Sequence, residues 1–516
     1  MQAESQSEPT QGKQRFPLKR GLWLLIISSL FIAALGIRFY HIDEPSGFAP
    51  MRHYLSALIA RGYYFRNLES IPEWRKQVAI ASMRRNPELP IMETITALAY
   101  RAIGGEKLWV PRLLSSIFWL IGGAFLYLLA KELISIEAAA FSMVFYLFLP
   151  FGIAASMNFQ PDPLMIMLFL ASLFAIWRYH ARPSLRRLVI AAIVSGLALF
   201  VKPPICLFVI FGAFISLSIF RQGVRRTAAS RNLWLFAIMS LLPTVLFFVY
   251  GMFITGYLRG LIGGRFLPQL LFSPLFWQKW LRLINHAIGY VALIGALLGL
   301  LMLRRGSLTA LLIGLWIGYI VFGLVFNWHI HTHQYYHLQL IPIVALSLGS
   351  AGALISSRLG QARAGWIWRL VVWGALLVVT FISPSTKTWG LAPDFAREVS
   401  VAQEIGEAVG HSTKTILMSF YNGMPLQYYG ELSGQLWPAG GALRQRELLG
   451  KQELNVEERL NKMIKAGFSE YFIVTNFGEF EAQKDLKQVL SREFPIVAKS
   501  KTYLIFDLRK RIAAGQ

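Results

Sequence analysis

Cysteine is almost missing from this chain: Cys206 is the only one in 516 residues, and it sits in an apolar run. That excludes a disulfide framework and a thiolate metal site. Acidic residues are scarce as well, with 27 Asp and Glu against 51 Lys and Arg and a formal net charge of +24. Residues 383–516 carry neither a Gly-rich phosphate loop nor a nucleophile–base–acid triad, which leaves a catalytic role there unsupported. No half-to-half repeat of the kind that builds many transporters is visible. No stripe of alternating basic and aromatic residues runs through the polar segments, which argues against binding single-stranded nucleic acid.

What the chain has in abundance is apolar sequence. Hydrophobic residues make up 55% of it and aromatic residues 14%, outside the range of soluble globular proteins. About eleven runs are long enough to cross hydrocarbon: Gly21–Ile37, Leu108–Ala130, Ala138–Ala155, Leu164–Trp177, Leu188–Val201, Ile205–Phe220, Leu233–Thr255, Ile284–Leu303, Leu308–Phe326, Tyr336–Ser356 and Ile367–Ile382. The expected fold is an all-α polytopic membrane protein. Its parts are a cytoplasmic tail over 1–20, a membrane domain over 21–382 with a large first outside loop at 40–107, and a small α/β domain over 383–516.

The loops set the orientation. Lys13, Arg15 and Lys19, then Arg178, Arg182, Arg186 and Arg187, then Arg221, Arg225 and Arg226, and later Arg304, Arg305, Arg358 and Arg363 fall on one side. The positive-inside rule makes that side cytoplasmic, and contact with anionic lipid accounts for the net charge. The first apolar run is poor in small-residue cleavage signals, so it reads as a span and not as a cleaved leader. On the opposite side, Tyr54–Leu55, Leu58–Ile59 and Tyr63–Tyr64 recur at helical spacing against Arg52, Arg61 and Arg66, as in a helix lying in the interface. A second such helix covers Ile91–Ile103. In the tail, strands are expected at Thr415–Ser419, Tyr471–Thr475, Ile496–Ala498 and Tyr503–Asp507, with helices at Val456–Ala466 and Glu481–Leu490.

Polar residues at membrane depth are costly and ask for a function. The outside ends of the spans collect Asp43, Glu44, Glu88, Glu93, Asp162, Lys202, Arg259, Arg265, His329, His331 and His333. Cations there can neutralise a phosphate leaving group while a carboxylate takes a proton from an incoming hydroxyl. Plainer readings stand beside these. Asp43 and Glu44 can cap a loop helix before Pro45, Asp162 can be a turn residue between prolines, and Lys202 can be an interfacial anchor that snorkels. The alternating histidines share a face only in extended chain, which favours headgroup contacts over a metal. Tyr335 and Tyr336 also suit an aromatic belt.

In order along the chain, several motifs resemble the GT-C integral-membrane glycosyltransferases, chiefly glycosyltransferase family 39 (protein mannosyltransferases) and aminoarabinose-transferase-like proteins. They are Asp43–Glu44 after the first span, Glu88-Leu89-Pro90-Ile91, Gly104-Gly105, Arg112-Leu113-Leu114-Ser115, Gln160-Pro161-Asp162-Pro163-Leu164-Met165, Lys202-Pro203 and His333-Gln334-Tyr335-Tyr336 through Pro342. The resemblance implies the GT-C fold and an inverting transfer of a monosaccharide from a polyprenyl-phosphate donor to a glycan, lipid or protein acceptor. It places the active site on the periplasmic face of the bacterial inner membrane. Carried over residue by residue, it makes Asp43 the general base with Glu44 in support. Lys202 with Arg259 or Arg265 would hold the phosphate; Glu88, Asp162, His333, Tyr335 and Tyr336 would meet sugar or acceptor. Phe48 and Pro50 stand where relatives often have His or Asp, so the choice between Asp43 and Glu44 stays open. No cofactor is implied, and a divalent metal is left open. Membrane lipids are expected partners and nucleic acid is not. A lipid or polysaccharide transporter and an oligosaccharide ligase or polymerase remain the alternative functions.

Overall fold

The computed structural model describes residues 20–44, 48–83, 88–259, 266–361, 364–385, 395–450 and 454–512. Lys13, Arg15, Lys19, Arg265 and Arg363, all invoked from the sequence, lie outside them. The helices that build the membrane face of interest are α1 (Arg20–Phe39), α2 (Pro50–Phe65), α3 (Glu73–Ser82), α4 (Ile91–Ile103), α5 (Trp109–Leu133), α6 (Ile136–Phe148), α7 (Pro150–Ser156), α8 (Asp162–Ala181), α9 (Leu185–Val201) and α10 (Pro203–Gln222).

Among the described residues, seven single helices are long and apolar enough to cross a membrane, and nine segments are if two bent pairs each count once. The two remaining expected positions are occupied by α9 and by Gly365–Phe381, each of 17 residues. The chain is a multi-pass membrane protein. Two expected spans differ from straight rods. Ala138–Ala155 is bent by 63° where Pro150 opens α7, because proline cannot donate to the preceding turn. Ile284–Leu303 contains a 91° bend between Pro274–Ile288 and Tyr290–Leu301. The hinge is Gly289 at φ 82°, a conformation that costs glycine little.

Close packing replaces the hydrophobic drive that lipid removes. A Cβ on Gly212 would lie 2.2 Å from the carbonyl oxygen of Gly314, and one on Gly314 would meet Gly212 in the same way. These glycines let α10 and Ser307–Val325 touch backbone to backbone. Arg38, buried at the end of α1, donates to Ser156 Oγ at 2.7 Å, to Ala34 O at 2.8 Å and to Leu147 O at 3.1 Å. It thereby satisfies a carbonyl freed where α6 breaks, the kind of group that helix ends leave without a partner.

Residues 395–512 form a five-stranded sheet flanked by helices: β1 (Thr415–Met418), β2 (Gly434–Leu436), β3 (Tyr471–Val474), β4 (Ile496–Lys499) and β5 (Leu504–Asp507), in the order β2-β1-β3-β5-β4. β1 is parallel to β2 and β3, whereas β5 is antiparallel to β3 and β4. Four strands fall at the short runs that the sequence marks as strands. Three-residue β2 has too little pattern to be read, and Glu481–Leu490 is divided into Phe477–Ala482 and Lys484–Glu493.

This segment packs on the first loop. Arg61 of α2 donates to both Glu106 carboxylate oxygens at 3.0 Å and to Tyr428 O at 2.7 Å, and lies 3.7 Å from the centre of the Tyr428 ring. Tyr428 OH donates to Glu106 at 2.6 Å. Arg75 pairs with Glu431, and Trp74 stacks on His411 at 4.5 Å. Arg61→Met leaves the part-buried Glu106 carboxylate without its cation, at a cost of about 1–3 kcal/mol. Limited proteolysis should then release the segment after residue 395 faster than in the wild type, with the span bundle intact.

Candidate functional site

Two sequence features turn a lysine inward. Pro203 disfavours helical geometry in the residue before it, so Lys202 leaves α9 at φ −150°, ψ 84° and caps α10. Asp162 opens α8 directly after Pro161, with Pro163 in the first turn. Their side chains meet at 2.6 Å, Lys202 Nζ donating to Asp162 Oδ2, and they are 1% and 0% exposed.

Around this pair the first loop adds a second one. Arg52 of α2 binds Glu88, and Lys202 Nζ is 4.0 Å from Glu88 Oε1. Tyr335 and Tyr336 form the floor, with Lys202 4.8 and 5.7 Å from the ring centres and Arg52 6.0 Å from that of Tyr335. Both rings are buried, so the tyrosines belong to this cluster and not to an aromatic belt. Lys202 is likewise a buried member of an ion pair and not a snorkelling anchor.

The cluster has spare bonding capacity. Among the described residues, Asp162 Oδ1 and Arg52 Nε lack a hydrogen-bond partner, as do both side-chain polar atoms of buried Gln160, two positions before Asp162. A buried polar atom left unpaired costs about 1–3 kcal/mol, so this set suits a polar ligand or water. Glu93, behind it on α4, accepts from Ser56 Oγ at 2.6 Å, and burial pushes its carboxyl pKa up.

Asp43 and Glu44 are exposed on the turn after α1, and Glu44 pairs with His41. The turn is pinned from below. Arg112 of α5 donates to the carbonyls of Ile42 (2.5 Å) and Glu44, and its Nε to Met157 O at 3.0 Å. Met157 and Asp162 are five residues apart in one loop, at most about 18 Å by chain length. That loop ties the acidic turn to the cation cluster. His53 holds it: Nδ1 lies 3.0 Å from the Phe159 amide N and 2.8 Å from the Asn158 side-chain amide. Burial and the nearby Arg112 push the pKa of His53 down to about 3, keeping it neutral.

The other expected residues scatter. Arg259 is exposed and donates to Met252 O at 2.7 Å, outside the cluster; Arg265 is not described. His331 Nδ1 donates to Asn327 O at 2.6 Å. His333 Nδ1 lies 2.7 Å from Thr332 Oγ1, and its ring stacks on His329 at 5.6 Å. Burial, with Arg52 and Lys202 nearby, holds the pKa of His333 down to about 4. Among the described residues, no three His, Cys, Asp or Glu converge as a metal set. Sequence reasoning gave no role to Arg52, nor to Arg112 and Gln160, which it met only as members of motifs. Arg52 counted only as the polar edge of an amphipathic helix, yet it is 8% exposed. The available signal was its place in the first turn of α2, two residues after Pro50.

Comparison with known proteins agrees with this architecture. Residues 88–250, which include Glu88, Asp162 and Lys202, match the dolichyl-phosphate-mannose-protein mannosyltransferase family. No curated protein matches the chain. Among solved structures, apo ArnT from Cupriavidus metallidurans superposes with a TM-score of 0.62 at 15% identity, covering 94% of this chain and 97% of ArnT. The same enzyme bound to undecaprenyl phosphate gives 0.57 at 14% identity, over 96% and 99%. The archaeal oligosaccharyltransferase AglB from Archaeoglobus fulgidus, in complex with an inhibitory peptide and a dolichol-phosphate, gives 0.54 at 12% identity, over 91% and 72%. The resemblance seen in the sequence is borne out: this chain has the fold of the GT-C integral-membrane glycosyltransferases, with a region matching the protein mannosyltransferase family between residues 88 and 250.

Proposed function

We propose that the chain is an inverting glycosyltransferase that moves a sugar from a polyprenyl-phosphate donor to an acceptor hydroxyl or amine at the periplasmic face of the bacterial inner membrane. One observation carries this reading. A buried cluster of two cations and two carboxylates, floored by two tyrosines, sits within one short loop of two exposed carboxylates. The cations suit the donor phosphate, whose charge grows as the anomeric bond breaks, and preorganised charge at that position lowers the barrier. Asp43 or Glu44, open to solvent, is placed to accept the acceptor's proton. Direct displacement at the anomeric carbon by the acceptor, with phosphate leaving from the opposite face, inverts configuration. ArnT bound to undecaprenyl phosphate supports the donor class, since the shared fold extends over nearly the whole of both chains.

The protein in nanodiscs should bind undecaprenyl phosphate, and Arg52→Met should weaken that binding about ten- to a hundred-fold, the worth of one charge-assisted contact. Unchanged binding would remove the cluster from the donor site. Orientation is tested separately: a reporter enzyme fused after Ser383 should be active in its periplasmic form and silent in its cytoplasmic form. The likeness to an oligosaccharyltransferase supports a second reading, in which the donor carries an oligosaccharide. Mass spectrometry of envelope glycans, lipids and glycoproteins from a deletion strain separates the two by the mass that is lost.

A further inference from the structure

The carboxy-terminal sheet carries a cavity of its own. From β1 the chain proceeds to β2 on one side and later to β3 on the other, all three parallel. The β1–β3 boundary is therefore a topological switch point, where parallel α/β sheets leave a crevice beyond the carboxyl ends of the strands. A cavity of about 460 Å³ occupies that position. Ser419, Phe420 and Tyr421 reach it directly after β1, and Thr475 and Phe477 after β3.

The backbone beside it is strained. Tyr421 (φ 52°, ψ 36°), Asn422 (φ 56°, ψ 28°) and Gly423 (φ 63°, ψ 13°) are left-handed in succession. Non-glycine residues seldom adopt that region, and such runs persist where function needs them. The turn leaves Phe420 and Tyr421 55% and 43% exposed beside the cavity.

The lining is apolar with a few convergent polar groups, the pattern of small-molecule sites. Aromatic faces come from Phe420, Tyr421, Tyr429 and Phe477. Ser419 Oγ accepts from Thr475 Oγ1 at 2.7 Å, leaving hydroxyl capacity for a ligand. Arg397 and Lys501 outnumber Glu398 among the charged lining residues. Ring C–H groups of a pyranose suit the negative faces of aromatic rings, its hydroxyls suit the Ser–Thr pair, and an anionic substituent suits the two cations. An acyl chain would make no use of those polar groups, and an inorganic anion would not use the aromatic walls.

The position is equally telling. Tyr429 lines the cavity, and its hydroxyl lies 3.0 Å from that of Tyr54 on α2. On the same helix His53 contacts Asn158 and Phe159 of the loop that ties the Asp43–Glu44 turn to the cation cluster. We propose that this cavity seats a saccharide unit of the acceptor bearing an anionic group, so that the acceptor is a glycan or glycolipid; the identification as an acceptor site rests on the glycosyl-transfer reading above.

Saturation-transfer NMR on the full chain in nanodiscs tests the site, with glucose 6-phosphate, glucose and inorganic phosphate as probes. Glucose 6-phosphate should receive saturation at its ring protons. Phe420→Ala and Lys501→Ala, both at exposed positions, should each weaken this about ten-fold, and glucose should bind about ten-fold more weakly. Displacement by inorganic phosphate at equal concentration, displacement by a fatty alcohol, or indifference to both substitutions would overturn the proposal. Undecaprenyl phosphate binding by the same preparation distinguishes the two failures. Donor bound without sugar in the cavity sinks only this inference, whereas sugar bound without donor sinks the transferase reading and leaves a saccharide site.

Discussion

Asp43→Asn is expected to lower sugar transfer by about two to four powers of ten, the usual worth of a general base, while the protein still inserts and binds undecaprenyl phosphate. Three features direct the expectation to Asp43. It is exposed on the turn after α1, so an acceptor from the aqueous side can reach it. The turn itself is rigid, because Arg112 holds its carbonyls from within α5. Glu44 is engaged by His41, which occupies part of its accepting capacity. Glu44→Gln should therefore cost less than Asp43→Asn. Single-turnover transfer from a radiolabelled polyprenyl-phosphate sugar separates the step from binding. Near-normal turnover in Asp43→Asn, with a collapse in Glu44→Gln, would exchange the two roles.

The parts of this architecture that were legible in the sequence are those with a short-range physical signal. Apolar length announced the spans, and short β-prone runs between helical stretches announced four of five strands. Proline on both sides of Asp162 and after Lys202 marked backbone that leaves its helix. Bends were less legible, because Pro150 and Gly289 lie inside runs whose hydropathy is continuous across them. The partnerships within the site were not legible at all. Lys202 and Asp162 are 40 positions apart, and Arg52 and Glu88 are 36 apart; no local pattern ties one to the other. Arg259 illustrates the converse, since a cation at the right end of a span looks like a phosphate ligand until its guanidinium is found on the carbonyl of Met252. Charge in the first loop hinted that Arg52 has a partner, because residues 40–107 hold seven Asp and Glu against nine Lys and Arg, but nothing local says which carboxylate it meets.

The buried Lys202–Asp162 pair leads to the second large effect and alters how it must be measured. From sequence, Lys202→Met tests a phosphate clamp without disturbing the fold, since methionine keeps the apolar stem. With both side chains almost wholly buried, that substitution instead strands the Asp162 carboxylate, and breaking a buried pair by removing one partner costs about 3–5 kcal/mol. Lys202→Met alone should thus lower the thermal unfolding midpoint in detergent and reduce donor binding together, which confounds a role with a collapse. Replacing both members, Lys202→Met with Asp162→Leu, removes the stranded charge, and such exchanges of buried pairs for apolar groups are often neutral or stabilising. The double variant should recover most of the lost thermal stability, because Arg52 and Glu88 remain as a balanced pair beside it. If the ammonium serves the donor phosphate, binding of undecaprenyl phosphate stays about ten- to a hundred-fold weaker in that stable variant. Lys202→Arg should keep part of the binding, since charge survives while the geometry changes. Wild-type donor affinity in the double variant would make the pair a purely structural brace between α8 and α10, and would leave Arg52 as the cation that meets the donor.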